Sequence, residues 1–140
     1  MQLQVQRLHP DAILPSFAHE TDAGMDIYSC ESVTIPAGGR AQVATGIACA
    51  IPQGCVGLIW DKSGISHKAG LKVLGGVVDA GYRGELLIGL LNTSDTAHTF
   101  KAGDKIAQML IQKIEHPKLV EVATLDETQR GSKGFGSTGK

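Results

Sequence analysis

Aromatic residues are nearly missing from this chain: three Phe, two Tyr and one Trp make up 4% of its 140 residues. Aliphatic side chains must therefore supply the packing that rings supply elsewhere. No charge of either sign dominates. Thirteen Lys and Arg stand against fourteen Asp and Glu, a formal net charge of −1, which gives no bulk attraction to nucleic acid or to an anionic membrane. No apolar run approaches the ~18 residues of a membrane helix. Residues 1–7 alternate polar with apolar and carry no signal-peptide core. The three cysteines, Cys30, Cys49 and Cys55, are odd in number, lie in apolar strand-like contexts and form no C-x-x-C. Reduced thiols in a cytoplasmic protein are the expected state.

Metal and nucleophile signatures are also absent. His9, His19, His67, His98 and His116 are scattered without ligand spacing, and there is no H-x-E…P-C-x-x-C zinc-deaminase pattern. No G-x-S-x-G elbow occurs, and Cys with His but no context is weak evidence for a thiol hydrolase.

Glycine, by contrast, is plentiful at 18 residues. With few aromatics and many glycines, a chain of this length is expected to form one domain of short strands and tight turns, leaning on oligomer contacts for part of its core. Turn signals recur about every ten residues, as in a sandwich, jelly roll or barrel. Leu3 and Val5 mark a first strand, and Val33 to Ile35 a brief one stopped by Pro36. Ala41, Val43, Thr45, Ile47, Cys49 and Ile51 alternate with a period of two. Pro52-Gln53-Gly54 turns the chain into Val56, Leu58 and Trp60. Residues 61–71 are the one briefly helical stretch, with Ser63 as a candidate N-cap. The run from Lys105 to Ile111 is apolar on both faces except for Gln108, so an interior strand is expected in which Gln108 needs a partner. Leu119 to Val122 is a candidate last strand.

Two stretches can carry chemistry. In Gly75-Gly76-Val77-Val78-Asp79-Ala80-Gly81-Tyr82-Arg83-Gly84-Glu85-Leu86 an acid, a Tyr and an Arg crowd a bend between apolar arms, the pattern of a β-hairpin reversed by Asp-Ala-Gly. An aspartate walled in by valines can hold and polarise a water; an aspartate at that position can equally just make the turn. The second stretch is Arg130 through Lys140, where Gly alternates with Ser and Thr. Backbone N–H groups and hydroxyls in such a run can wrap a phosphate chain, and the isolated Phe135 needs a face such as a base to stack on. The letters of 134–140 satisfy G-x-x-x-x-G-K, but no strand precedes them and no helix can follow, which excludes a P-loop.

Five segments in order then resemble the motifs of the homotrimeric dUTP pyrophosphatases (dUTPases). They are Ala23-Gly24-Met25-Asp26-Ile27, Lys62-Ser63-Gly64, Gly76 through Gly84, Gly103-Asp104-Lys105-Ile106-Ala107-Gln108, and Arg130-Gly131 through Gly139. The resemblance implies an all-β jelly roll of the β-clip type with one short helical turn and a flexible, Gly-rich C-terminal tail. A β domain over 1–123 and an arm over 124–140 follow, the arm closing an active site of a neighbouring subunit in a homotrimer.

It also implies roles. Backbone around Gly76 and Val77 would pair with uracil, and Tyr82 would pack beneath the deoxyribose. Asp79 would orient and deprotonate the water that attacks the α-phosphorus of dUTP. Lys62, Ser63, Gly64 and Gln108 would grip the phosphates. Arg130, Gly136, Ser137 and Thr138 would cradle the γ-phosphate, with Phe135 stacked over uracil. Asp26 would be a supporting acid, either outer-sphere to Mg²⁺ or paired with a cation. The Mg²⁺ cofactor would be held by phosphates and water, without direct protein ligands.

One departure stands out: the family's second motif usually carries Arg where this chain has Lys62, which keeps the charge but loses the bidentate fork. Asp61 beside it could also hold Lys62 back. Two other readings remain open. A dCTP deaminase of the same fold would carry a catalytic Glu at the position of Gly89. A non-catalytic nucleotide sensor would tolerate loss of Asp79 or of the tail, and both are present.

Overall fold

The longest alternating run in the sequence becomes the longest strand. In the computed structural model, which describes residues 1–132, four strands precede the turn at 51–54: β1 (Gln4–Arg7), β2 (Met25–Tyr28), β3 (Val33–Ile35) and β4 (Arg40–Ala50). β5 (Cys55–Trp60) and a helix α1 (Ser63–Ala69) follow, then β6 (Leu71–Leu74), β7 (Val77–Val78), β8 (Glu85–Asn92), β9 (His98–Phe100) and β10 (Lys105–Lys113). All pairings are antiparallel. One sheet has the order β1-β4-β8-β6, a second β2-β10-β5-β7, and β3 pairs with β9 in a small third. This is the all-β, two-sheet wrap expected of a jelly roll.

The two large sheets enclose one continuous aliphatic core. Val43, Ile47, Ile88 and Leu90 contribute from one side and Ile27, Ile59, Ile106 and Met109 from the other, with Ile35 and Phe100 closing an end. Each such side chain contributes about 1.5–3 kcal/mol when removed from water, so aliphatic packing compensates for the scarcity of rings. The buried Asn92 spends its hydrogen-bonding capacity locally. Its Nδ2 donates to Ile35 O (3.1 Å) and Thr96 O (2.7 Å), and its Oδ1 accepts from Ser94 N–H (3.0 Å) and Ser94 Oγ (2.7 Å).

Plain alternation holds only in the first half of β4. The register against β8 shifts between Ala44 and Ala48, and residues 45–49 are all buried. A β-bulge at Gly46 is responsible. Gly46 has φ +67, and a Cβ there would lie 2.8 Å from Cys30 Sγ and 2.9 Å from Ala12 Cβ.

Three expectations change. Ser63 is the first residue of α1 rather than its cap; Lys62 holds the extended N-cap position, with no side-chain cap bond. Residues 119–122 form no strand: β10 completes the sheets at Lys113, and Leu119, Val120, Val122 and Leu125 stand exposed beyond it.

Third, the bend at 75–86 is not a two-stranded hairpin. β6 pairs with β8 as far as Leu74 opposite Gly89, and then the arms part. β7 crosses to the second sheet, Val77 opposite Leu58 and Val78 opposite Gly57, while β8 continues beside β4. The opposite demands of two sheets split the hairpin open.

Asp26 on β2 fastens the second sheet to the start of α1. It is 3% exposed, its Oδ1 accepts a short bond from Lys62 Nζ, and its Oδ2 lies 2.6 Å from Lys105 Nζ as an ion pair. A second bulge explains the reach of Lys105. Gln108 faces Asp26 and Ala107 faces Ile27, but Tyr28 is opposite Lys105, not Ile106. The extra residue turns Lys105 onto the face of Asp26, while Ile106 and Ala107 both enter the core.

Burial pushes the Asp26 carboxyl up, but the charges of Lys105 and Lys62 outweigh it and hold it below the ordinary 3.8. A carboxyl depressed by folding gives stability that is complete above that ordinary value and is lost as pH falls below it. Urea titrations at stepped pH should therefore show Asp26→Asn less stable than wild type near neutrality and less sensitive to acid below 3.8. Identical acid slopes in the two proteins would contradict the ion pair.

Candidate active site

Where the hairpin arms part, a cavity of about 310 Å³ opens, lined by Gly76, Val77, Asp79, Tyr82, Leu86 and Gly89 among others. Backbone forms its wall at Gly76. That residue has φ +107, and a Cβ would meet Ile59 O at 2.8 Å. Ile59 N–H in turn donates to Gly76 O at 2.7 Å. A side chain at 76 would thus cost both strain and a strand contact.

The turn at the mouth is braced from within. Tyr82 N–H donates to Asp79 O (3.1 Å), Tyr82 Oη donates to Glu85 O (2.8 Å), and Arg83 Nη1 donates to Ala80 O and Tyr82 O, both at 2.7 Å. Arg83 is spent on the loop.

Asp79 lines this cavity but is exposed. The expectation of an aspartate walled in by valines is corrected by strand alternation. Val78 turns into the core at 9% exposure and Val77, at 68%, faces outward on the same side as Asp79. Within one chain, nothing dries the carboxylate.

A second group assembles on the other side of β5. Asp26, Gln108 and Trp60 lie in register across β2, β10 and β5, and Lys62 follows two residues after Trp60. With Gly24 they line a cavity of about 440 Å³. Gln108 finds the partner its position demands: its Nε2 donates to Asp61 O at 2.8 Å. Gly24 leaves room for it, since a Cβ there would lie 2.5 Å from Gln108 Oε1.

Lys62 is engaged by Asp26, not by Asp61. Asp61 instead binds Lys72 Nζ (2.5 Å) and accepts Val73 N–H (2.6 Å), tying the end of β5 to β6. The neighbour expected to restrain Lys62 is occupied elsewhere, and the acid that holds it comes from the first motif.

Ser63 and Gly64 sit exposed on the first turn of α1 and line neither cavity. Arg130 is exposed, beyond the sheets. Phe135, Gly136, Ser137 and Thr138 lie outside the described residues. The chain therefore gathers Asp26, Lys62 and Gln108 at one cavity and Gly76, Val77, Asp79 and Tyr82 at another. Sequence reasoning assigned no role to Lys105 or Trp60. The Lys105 contact depends on a bulge that periodicity does not reveal, and Trp60 was legible only as a strand residue.

The family model described as dUTPase matches residues 11–139. The curated deoxyuridine 5'-triphosphate nucleotidohydrolase of Mycolicibacterium gilvum (strain PYR-GCK) is 50% identical over 145 aligned residues, which cover 98% of this chain and 94% of that protein. The fold is similar to that of the Staphylococcus bacteriophage 80alpha dUTPase solved with dUpNHpp, with a TM-score of 0.93 and 34% identity over 99% of both chains. A mutant dUTPase from phage phi11 of S. aureus, reported to coordinate a structural Mg(II) ion, is similar over 89% of this chain and 98% of that one, with 34% identity and a TM-score of 0.82. The two cavities are built from the first four ordered motifs, and the matches span nearly the whole chain: the chain belongs to the dUTPase family.

Proposed function

We propose that this protein hydrolyses dUTP to dUMP and pyrophosphate, with Asp79 as the general base. The observation that carries this reading is the cavity between the parted hairpin arms, walled by the backbone of Gly76 and Val77 and flanked by Asp79 and Tyr82. Backbone N–H and C=O groups there would pair with the uracil edge and reject cytosine, whose donors and acceptors are reversed. Tyr82 would support the deoxyribose and exclude a 2′-hydroxyl. Asp79 would take a proton from the water that attacks the α-phosphorus in line, and the α–β bridging oxygen would leave with pyrophosphate. Ser63, Gly64, Gln108 and Lys62 would hold the phosphates nearer the nucleoside. Arg130, Gly136, Ser137 and Thr138 would hold the γ-phosphate, with Phe135 over the base.

One chain does not bring these groups together, and that supports an active site shared among copies. The base-binding and phosphate-binding halves open as separate cavities. Asp79 needs a covering surface, and Leu119, Val120, Val122 and Leu125 lie exposed where the chain leaves the sheets. In a homotrimer the half-site of one subunit would face the complementary half of the next, and the arm over 124–140 would close it. Among the described residues no helix is long and apolar enough to cross a membrane, and a cytoplasmic setting suits a nucleotide substrate.

Mg²⁺ would neutralise charge on the triphosphate. Among the described residues no three His, Cys, Asp or Glu are gathered, and both oxygens of Asp26 face lysine ammonium groups. The cation would be carried in by the phosphates and water.

Deamination of dCTP is disfavoured by Gly89. A Cβ there would lie 3.1 Å from Leu74 O, so a catalytic Glu would need the strand pair to shift.

Asp79→Asn should lower kcat by about 10²-fold or more with dUTP binding retained; unimpaired turnover would remove Asp79 from the chemistry. Deleting residues 130–140 should abolish most hydrolysis and leave the oligomer intact by light scattering, and unchanged activity would rule out the arm as a lid. Pyrophosphate release across the four dNTPs and dUTP, with and without Mg²⁺, should be selective for dUTP and metal-dependent. Ammonia release from dCTP would favour the deaminase, and binding without turnover the sensor.

A further inference from the structure

Lys62 and Lys105 share one buried carboxylate, each on a different oxygen, yet they are placed differently. Lys105 starts β10 and is directed at Asp26 by the bulge in that strand. Lys62 lies on the link between β5 and α1, lines the cavity together with Gln108, and bonds Asp26 through a single oxygen. Asp22 lines the same cavity, but its Oδ2 accepts His19 N–H at 3.0 Å. Asp61 is taken by Lys72 and Val73. Were Lys62 the sole partner of Asp26, moving it toward a bound phosphate would strand a buried charge, an outcome that strongly disfavours the move.

We propose that Lys105 is a positioning residue for the reading above: as the standing counter-ion of Asp26, it lets Lys62 exchange that carboxylate for a substrate phosphate. Lys105 itself does not touch the phosphates. The exchange suits an ammonium, whose three donors turn freely about a long stem and need no matched fork.

The test is a double-mutant cycle on the full chain with inorganic pyrophosphate as the probe, read by the fluorescence of Trp60. This is the single Trp of the sequence, and it lines the same cavity. Lys105→Gln is expected to weaken pyrophosphate binding by about tenfold, and Lys62→Gln by at least as much. The double variant should be no weaker than Lys62→Gln alone, because Lys105 acts only through Lys62. Lys105→Arg should keep wild-type affinity.

Additive losses would mean that Lys105 meets the phosphate directly or serves only folding, and would overturn the proposal. So would wild-type affinity in Lys105→Gln, or a wild-type protein that does not bind pyrophosphate. If Lys105→Gln does not fold, Lys105→Arg decides: a loss of about tenfold or more overturns the proposal, and retained affinity sustains it. Because binding is read without turnover, a wild-type protein that binds pyrophosphate with the expected coupling but leaves dUTP intact would sink the hydrolase reading and leave this one standing.

Discussion

A buried carboxylate must be compensated or it will not stay charged, and at Asp26 that requirement shapes much of the molecule. Two ammonium groups meet it, one on each oxygen. Each comes from a different motif, so the demand of a single acid fixes β2, the head of β10 and the start of α1 relative to one another. The result is a polar floor for the larger cavity, framed by aliphatic sheets that have no polarity to offer. Gln108 extends that floor by donating to Asp61 O, and Asp61 in turn grips β6. Electrostatic need, not strand propensity, carries order from the first motif to the edge of the hairpin.

The hairpin meets a different constraint, a cavity walled by backbone. A cavity walled by main chain requires that side chains be absent and that the main chain not be spent on its own ladder. Gly76 meets the first condition, and the divergence of β7 from β8 meets the second on one side only: β7 pairs with β5 and is the edge strand of its sheet. Parting the arms has a consequence for Asp79. With Val78 drawn into the core, the next outward position, Asp79, faces water, and a carboxylate in water gains nothing from its surroundings. The same geometry that creates the cavity leaves Asp79 exposed within one chain.

Much of this was legible in the letters. The turn positions, the interior strand around Met109 and the unpaired demand of Gln108 all followed from periodicity and from the rule that buried polar groups find partners. What remained hidden shares one cause: register. The irregularities at Gly46 and at Ile106 shift the register by two residues and by one, and nothing in local composition marks either slip. The arms of the central bend read as a hairpin because both are apolar and a turn lies between them. Which sheet claims each arm depends on strands far away in sequence. Residues 119–122 have the composition of a strand, yet they lie exposed outside the sheets. Asp61 was a reasonable restraint for Lys62 by adjacency, but a side chain at a strand end bonds across to the next strand more readily than along its own.

Lysine at position 62, where an arginine fork is usual in the family, takes on meaning in this setting. A guanidinium bonded bidentately to Asp26 would engage both carboxylate oxygens with two aligned donors, and Lys105 would share Oδ2 with it. An ammonium uses one oxygen and leaves the other to Lys105, which is the arrangement found. The less directional grip of an ammonium at 62 thus stands beside a second ammonium at 105 on the same carboxylate. A fork at 62 would bind phosphate better only if it were free, and opposite a buried acid it would not be.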